Sequence, residues 1–196
     1  MTISPSQTWG EEKEMIDFKN SAPLRHSLRI RPTRVFLATP ITPLLISPTQ
    51  FDPVAAESIV SITESLRLGA GFEVFCAIER EKFGKELMDA KTCTPIDLDG
   101  MREADVVVAF PDSSYGVHVE LGWASALGKP IMLLMHKRVF YRSPLVEGLP
   151  TVTRAETIWY ESDHVLPSKL TWKKDIEAKV IDFINRNSAN SRAQDE

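Results

Sequence analysis

The chain has 196 residues, 43% of them hydrophobic, which suffices for one substantial core and makes a single folded domain the expectation. A net charge of −4 excludes a broad electrostatic footprint for nucleic acid, so Arg25, Arg29, Arg31 and Arg34 read as a solvated arm. Cys76 and Cys93 lie outside any CxxC spacing, and the histidines at 26, 118, 136 and 164 show no ligand spacing; neither a disulfide framework nor a metal nor another cofactor is expected.

No run approaches the roughly 18 apolar residues of a membrane span, and the opening lacks a cationic segment followed by an apolar core. The expectation is a cytoplasmic protein with neither membrane nor nucleic acid as partner.

Residues 1–30 mix Ser, Pro, Lys, Glu and Arg without periodicity and read as a partly disordered extension. Arg34 to Thr39 is the first predicted strand, and the ITPLLISP that follows is too proline-broken for a helix and reads as a loop. Pro53 to Leu68 is a predicted helix. Asp52 is its N-cap, Pro53 its first residue, Val54, Ile59, Ile62 and Leu66 its apolar positions, and Gly69 its stop. Phe72 to Cys76 reads as the second strand, Glu79 to Ala90 as a short charged exposed helix, and Asp97 to Glu103 as a helical turn capped by Asp97.

Ala104 to Phe110 is β-branched and almost uncharged, which suits a strand buried on both faces of a parallel sheet. After Pro111, the residues Asp112, Ser113, Ser114 and Gly116 supply turn chemistry, and Val117, Leu121, Ala124 and Leu127 recur at helical spacing up to Gly128. Ile131 to Met135 and Thr157 to Tyr160 are further strands. Lys169 to Asn185 is a closing amphipathic helix with Trp172, Ile176, Val180 and Phe183 inward, and 187–196 is a polar tail. Strands alternating with helices imply an α/β fold: one domain over residues 31–186, a flavodoxin- or Rossmann-like doubly wound parallel sheet of about five strands.

Glu120 falls near the start of a helix at the carboxyl end of a strand, the edge where open α/β sheets bind ligands. A carboxylate flanked by Val119, Leu121 and Trp123 is either a dipole-complementing residue or a working group. Asp97, before the same central strand, is either a helix cap or its partner. Paired carboxylates are the usual equipment for cleaving a glycosidic bond. Thr39, Thr42, Ser113, Ser114 and Gly116 are small positions at the ends of the first and third strands, either ordinary turn composition or a neutral phosphate cradle.

VFLATP at 35–40, EREKFG at 79–84, AFP at 109–111 and GVHVELGWASALGKP at 116–130 resemble the nucleoside 2-deoxyribosyltransferase superfamily, over most of residues 34–150. The resemblance is closest to its cytidylate N-glycosidases and 2′-deoxynucleoside 5′-phosphate N-hydrolases. It implies that Glu120 is a nucleophile forming a covalent glycosyl intermediate and that Asp97 holds sugar hydroxyls and assists protonation of the leaving base. Ser114, with Gly116 beside it, would bind the 5′-phosphate where nucleoside transferases carry an aspartate. Ser143 would reach the phosphate of a neighbouring subunit, implying a homodimer with a shared active site.

Phe83 and Phe110 are candidates to stack on the base, with Arg80 as a charged candidate near them; a core role for the rings and a solvent-facing role for Arg80 remain open. The Gly-Ser-x-Arg of some hydrolases is replaced here by Ala38, Thr39, Pro40 and Ile41. The expected activity is hydrolysis of a pyrimidine nucleoside 5′-monophosphate, CMP or a 5-substituted CMP, to free base and ribose 5-phosphate. A deoxyribosyltransferase and a non-catalytic nucleotide sensor are the alternatives.

Overall fold

A computed structural model describes residues 31–112, 114–139 and 143–192, with side chains described through Ser188. The expectations for residues 1–30, and for Ser113, lie outside the described residues.

The strands β1 (Arg34–Ala38), β4 (Glu73–Phe75), β5 (Val106–Ala109), β6 (Ile131–His136) and β7 (Ala155–Tyr160) form one parallel sheet in the order β4-β1-β5-β6-β7. This is the flavodoxin-like order 2-1-3-4-5, and the chain is an α/β protein of the doubly wound kind. The register pairs Phe36 with Val107 and Val108 with Met132, so residues alternate between two covered faces.

On one face Val35, Leu37, Val106, Val108 and Leu134 pack with α1 (Pro53–Glu64) and α7 (Glu177–Arg192). On the other, Phe36, Ala38, Val107, Ala109 and Leu133 pack with α3 (Ala90–Glu103) and α4 (Tyr115–Ala126). β5 and β6 are buried at every residue, as their near-continuous apolar runs require.

Local chemistry explains most boundaries. The Asp52 side chain accepts from the backbone N–H of Val54 and Ala55, and Pro53 follows it, so α1 starts where the sequence places it. Val54 faces outward at 40% exposure, against expectation, while Ile59, Ile62 and Leu66 are sealed. A wider π-type turn, Ser65–Gly69, ends that segment. Trp172, Ile176, Val180 and Phe183 are all buried, along α6 (Lys169–Thr171), a second wide turn at Trp172–Ile176, and α7. α7 continues to Arg192, and Asn187 and Ser188 are buried, so the packed helix runs past the start of the expected polar tail.

Three expectations are corrected. ITPLLISP is not a plain loop: it forms a 3-10 turn at Thr42–Leu44 and then β2 (Leu45–Ser47), which pairs with β3 (Gln50–Phe51) as a small antiparallel hairpin. Residues 79–90 are not one exposed helix. A single turn, α2 (Ala77–Arg80), is followed by turns and then by α3, and Ile78, Arg80 and Glu81 are buried. Asp97 is not a cap. Asp89 caps α3 by accepting from Lys91 and Thr92 N–H, and Asp97 lies in mid-helix, beyond Pro95.

No helix among the described residues is long and apolar enough to cross a membrane.

Candidate active site

The carboxyl ends of β1, β4 and β5 share one edge, and three helices deliver charge to it. α2 follows β4 directly and carries Arg80. α3 leads into β5 and carries Asp97, and α4 leaves β5 and carries Glu120. α3 lies side by side with α4, and Gly100 lets it come close to the end of β4: a Cβ there would stand 2.9 Å from the Phe75 ring. Phe75 in turn stacks on Phe36 of β1, with ring centroids 5.0 Å apart. The depth at which Asp97 sits, one turn before Gly100, is therefore fixed by a glycine-to-aromatic contact.

Arg80 ties the edge together. Its Nη1 donates to Asp97 Oδ1 at 2.7 Å and its Nη2 to Glu81 Oε1 at 3.0 Å, while the guanidinium stands 5.7 Å from the Phe75 ring centroid. The side chains of Arg80 and Glu81 are each only 7% exposed. Burying a charge is costly unless it is paired and hydrogen-bonded, and this arginine has two carboxylate partners and an aromatic face. Its Nε, however, is buried without a partner among the described residues.

Glu120 lies in the second turn of α4, six residues after the N-cap Ser114. It is thus past the first turn, where a carboxylate complements the helix dipole, and the capping alternative is met by Ser114 instead. The residue is half-buried, but its carboxylate end is enclosed, and Oε2 has no hydrogen-bond partner among the described residues. Burial pushes the Glu120 carboxyl up to about 8; the charge of Asp97 pushes in the same direction and Arg80 partly opposes both. Asp97 is also raised above the ordinary carboxylate range, by burial, with Arg80 pulling it back. Two like-charged groups in one enclosure cannot both ionise cheaply, so the pair holds one proton well above the usual pH.

The phosphate-cradle positions divide. Ser114 is buried, and its Oγ accepts from Val117 N–H at 3.3 Å, leaving the hydroxyl proton for another acceptor. Gly116 is exposed in the first turn of α4, and a Cβ there would make only ordinary contact. Thr39 is buried at the end of β1, whereas Thr42 is exposed on the 3-10 turn. Ser143 is half-buried at the start of α5 (Pro144–Glu147) and makes no side-chain cap.

Of the two readings open for the aromatic candidates, both rings take the core one. Phe110 is 1% exposed and packs edge-on against Tyr160 in the core, so its ring is unavailable to a base. Phe83 packs edge-on against Phe51 of the hairpin, with centroids 6.0 Å apart. Arg80 is not solvent-facing and joins Asp97 in the site.

Sequence reasoning missed Glu81, Gly100 and Asp112. Asp112 Oδ2 accepts from the backbone N–H of His136 at 2.6 Å, tying the β5–α4 loop to the end of β6. EREKFG was visible as a motif, but no periodicity marks its second and third residues as buried.

The fold and site define an α/β protein with an enclosed carboxylate pair at the carboxyl edge of a parallel sheet, beside a capped helix N-terminus. The chain belongs to the nucleoside 2-deoxyribosyltransferase family, whose model matches residues 45–151. Among solved structures it is similar to the solution structure of BlsM, at 35% identity over 79% of this chain and 93% of that one, with a TM-score of 0.61. It is also similar to the CMP N-glycosidase BcmB of Clostridium botulinum, at 29% identity over 75% of this chain and 99% of that one, with a TM-score of 0.50. A conserved protein of Enterococcus faecalis V583 shares the fold at 15% identity and a TM-score of 0.53, over 80% of this chain and 99% of that one. No curated protein sequence matches the chain.

Proposed function

We propose that this protein hydrolyses the N-glycosidic bond of a pyrimidine nucleoside 5′-monophosphate, with CMP or a 5-substituted CMP as substrate. The observation that carries the reading is the enclosed Asp97–Glu120 pair, in which Glu120 Oε2 lacks any partner among the described residues. A buried acceptor left open costs stability, about 1–3 kcal/mol, and is kept where a ligand completes it.

In the reaction, Glu120 attacks C1′ as a carboxylate, forming the ester as the C1′–N1 bond breaks. The electron pair leaves with the base. The pair shares a single proton, which rests on Glu120; its transfer to Asp97 Oδ2, the oxygen that Arg80 leaves open, frees Glu120 as the attacking carboxylate, and Asp97 then passes the proton to the departing base. Water then attacks C1′, gives its proton to Asp97 and releases Glu120 and ribose 5-phosphate. The phosphate lies at the N-terminus of α4, where Ser114 donates from its hydroxyl and the first-turn N–H groups of the helix face the anion. A hydroxyl there favours a phosphate, where a carboxylate would repel it, and so favours hydrolysis of nucleotides over sugar transfer between nucleosides.

The choice of base is supported by the 29% identity to a CMP N-glycosidase. Two copies of the chain form the working unit, with Ser143 of one reaching the phosphate of the other. Exposed Tyr115 and Val119 on α4 and Leu145 on α5 give such a dimer an apolar face to bury.

The test is a panel of ribo- and deoxyribonucleoside monophosphates with the matching nucleosides, followed for free base by chromatography. Cytosine released from CMP and not from cytidine is the expected result. Release only when a second base is present, with formation of a new nucleoside, overturns the hydrolase; tight binding with no release overturns catalysis itself.

A further inference from the structure

The EREKFG segment is larger than its single contact with Asp97 requires. Its residues divide among three neighbours. Glu79 accepts from Thr63 Oγ1 at 2.9 Å and from Arg67 Nη2 at 2.7 Å, on α1 and the turn that follows it. Arg80 reaches the other way, to Asp97 on α3. Phe83 and Gly84 lie against the β2–β3 hairpin, where a Cβ on Gly84 would stand 3.0 Å from Leu45 Cδ2.

The turn that allows this division is strained. Lys82 and Phe83 both have positive φ, 47° and 53°, before Gly84 at 82°. A left-handed backbone is rare for a lysine and rarer for a bulky phenylalanine, and it persists only where the surrounding structure holds it. Backbone bonds hold the strain in place: Lys82 N–H to Glu79 O at 2.9 Å, Phe83 N–H to Ile78 O at 2.9 Å, and Gly84 N–H to Glu81 O at 3.1 Å. The consequence is local. The chain reverses immediately after Glu81, so that Arg80 and Glu81 are both buried and Nη2 meets Glu81 while Nη1 meets Asp97.

We propose that Arg80, gripped by Glu81 and by the left-handed turn Lys82–Gly84, is the positioning residue of the site: it fixes the orientation and the charge of Asp97 opposite Glu120. The proposal rests on the reading of Asp97 and Glu120 as the reacting pair. Glu120 faces Asp97 from α3 and Arg80 from α2, and no other charged group contributes resolvably to its surroundings among the described residues. Glu81 acts through Arg80. Its negative charge balances the guanidinium, and its Oε1 fills the fork that would otherwise swing away from Asp97.

The test reads the pair without turnover. Carboxyl carbons of Glu and Asp are labelled with ¹³C in the full-length protein and titrated by NMR in the wild type, Arg80→Met, Arg80→Lys and Glu81→Gln. Arg80→Met removes a positive charge, so loss of the pair's last proton moves to higher pH, by about one to three units. Glu81→Gln removes a negative charge and keeps an acceptor, so the same step moves to lower pH. Arg80→Lys keeps the charge and leaves the step near its wild-type position, yet it lacks the fork, so kcat on the nucleotide falls about a hundredfold while KM holds.

A titration unmoved in Arg80→Met, or moved in the same direction by Arg80→Met and Glu81→Gln, overturns the proposal. Arg80→Lys and Glu81→Gln carry the test if Arg80→Met does not fold. If no nucleotide is turned over and the titrations still shift in opposite directions, Arg80 is the positioning residue and the hydrolase reading fails alone.

Discussion

The two edges of the sheet treat charge in opposite ways. At the amino edge every charged group named here is answered by a partner. Arg34 pairs with Glu73 at 3.1 Å and Glu103 at 3.6 Å, its backbone N–H donates to Asp105 Oδ2 at 2.9 Å, and Lys129 closes the end of α3 by donating to the carbonyls of Arg102 and Ala104. Apart from the buried Asp105, these groups are partly exposed; they tie strand starts to helix ends and work as structural pins. At the carboxyl edge the charges are more deeply buried and the pairing is incomplete: Arg80 Nε and Glu120 Oε2 are both without partners among the described residues. The only non-glycine residues with positive φ among those described also lie there. Polar groups are satisfied at one edge, whereas at the other two buried polar atoms are left open.

Substitutions at the two edges break or sharpen that contrast. The largest effect is expected from Glu120→Gln, which lowers kcat at least about a thousandfold in a base-release assay. It also makes the folded protein more stable in alkaline solution. The native Glu120 carboxyl is raised to about 8 from 4.5, so the folded state keeps a proton that the unfolded chain releases. That contribution is fully present below pH 4.5 and is lost as pH rises to about 8. A neutral amide has no such loss. Calorimetry at pH 8.5 then shows a higher Tm for Glu120→Gln by several degrees, with a smaller difference at pH 5.

Asp97→Asn follows, with kcat lower by about 10²- to 10⁴-fold, because an amide cannot give its proton to the base. For the wild type a bell-shaped kcat/KM is expected, checked by base release across pH. It falls at the alkaline side through about pH 8, as the pair loses its last proton, and at the acid side when a second proton binds. Asp97→Asn removes the alkaline limb.

Ser114→Ala is smaller. Loss of one hydrogen bond to a charged oxygen raises KM for the monophosphate about tenfold and leaves the nucleoside unaffected, and loss of the α4 cap costs about 1 kcal/mol in urea unfolding. Arg34→Met, at the amino edge, gives the smallest change. It costs about 0.5–1 kcal/mol of stability and leaves kcat and KM as they are. A fall in activity there would erase the distinction between the edges.

The sequence exposed those parts of this molecule that rest on one-residue rules. The β-branched run in β5, the Asp52 cap followed by Pro53, and the Trp172-to-Phe183 stripe each have a local physical cause, and each stands in the structure where it was read. Asp97 and Glu120 were legible as a pair because they flank one central strand. The hairpin was not, since two prolines in ITPLLISP mask strands only three and two residues long. The start of α3 was missed because Asp97 has the chemistry of a cap, while the cap in use, Asp89, stands eight residues earlier with Pro95 inside the helix it opens. Arg80 and Glu81 were misread because a charge run reads as solvent-facing unless a left-handed turn buries it, and Phe83 gives no local sign that it adopts one. The depth of Asp97 depends on Gly100 meeting Phe75, a contact between distant parts of the chain.

The most direct measurement is to trap the glycosyl intermediate. The protein is incubated with a CMP analogue that carries fluorine at the 2′ position, which slows hydrolysis of the ester, and is then analysed by intact mass and peptide mapping. A pentose phosphate attached to Glu120, absent from Glu120→Gln, is the predicted result. Base release with the adduct on another residue, or with none at all, contradicts the account.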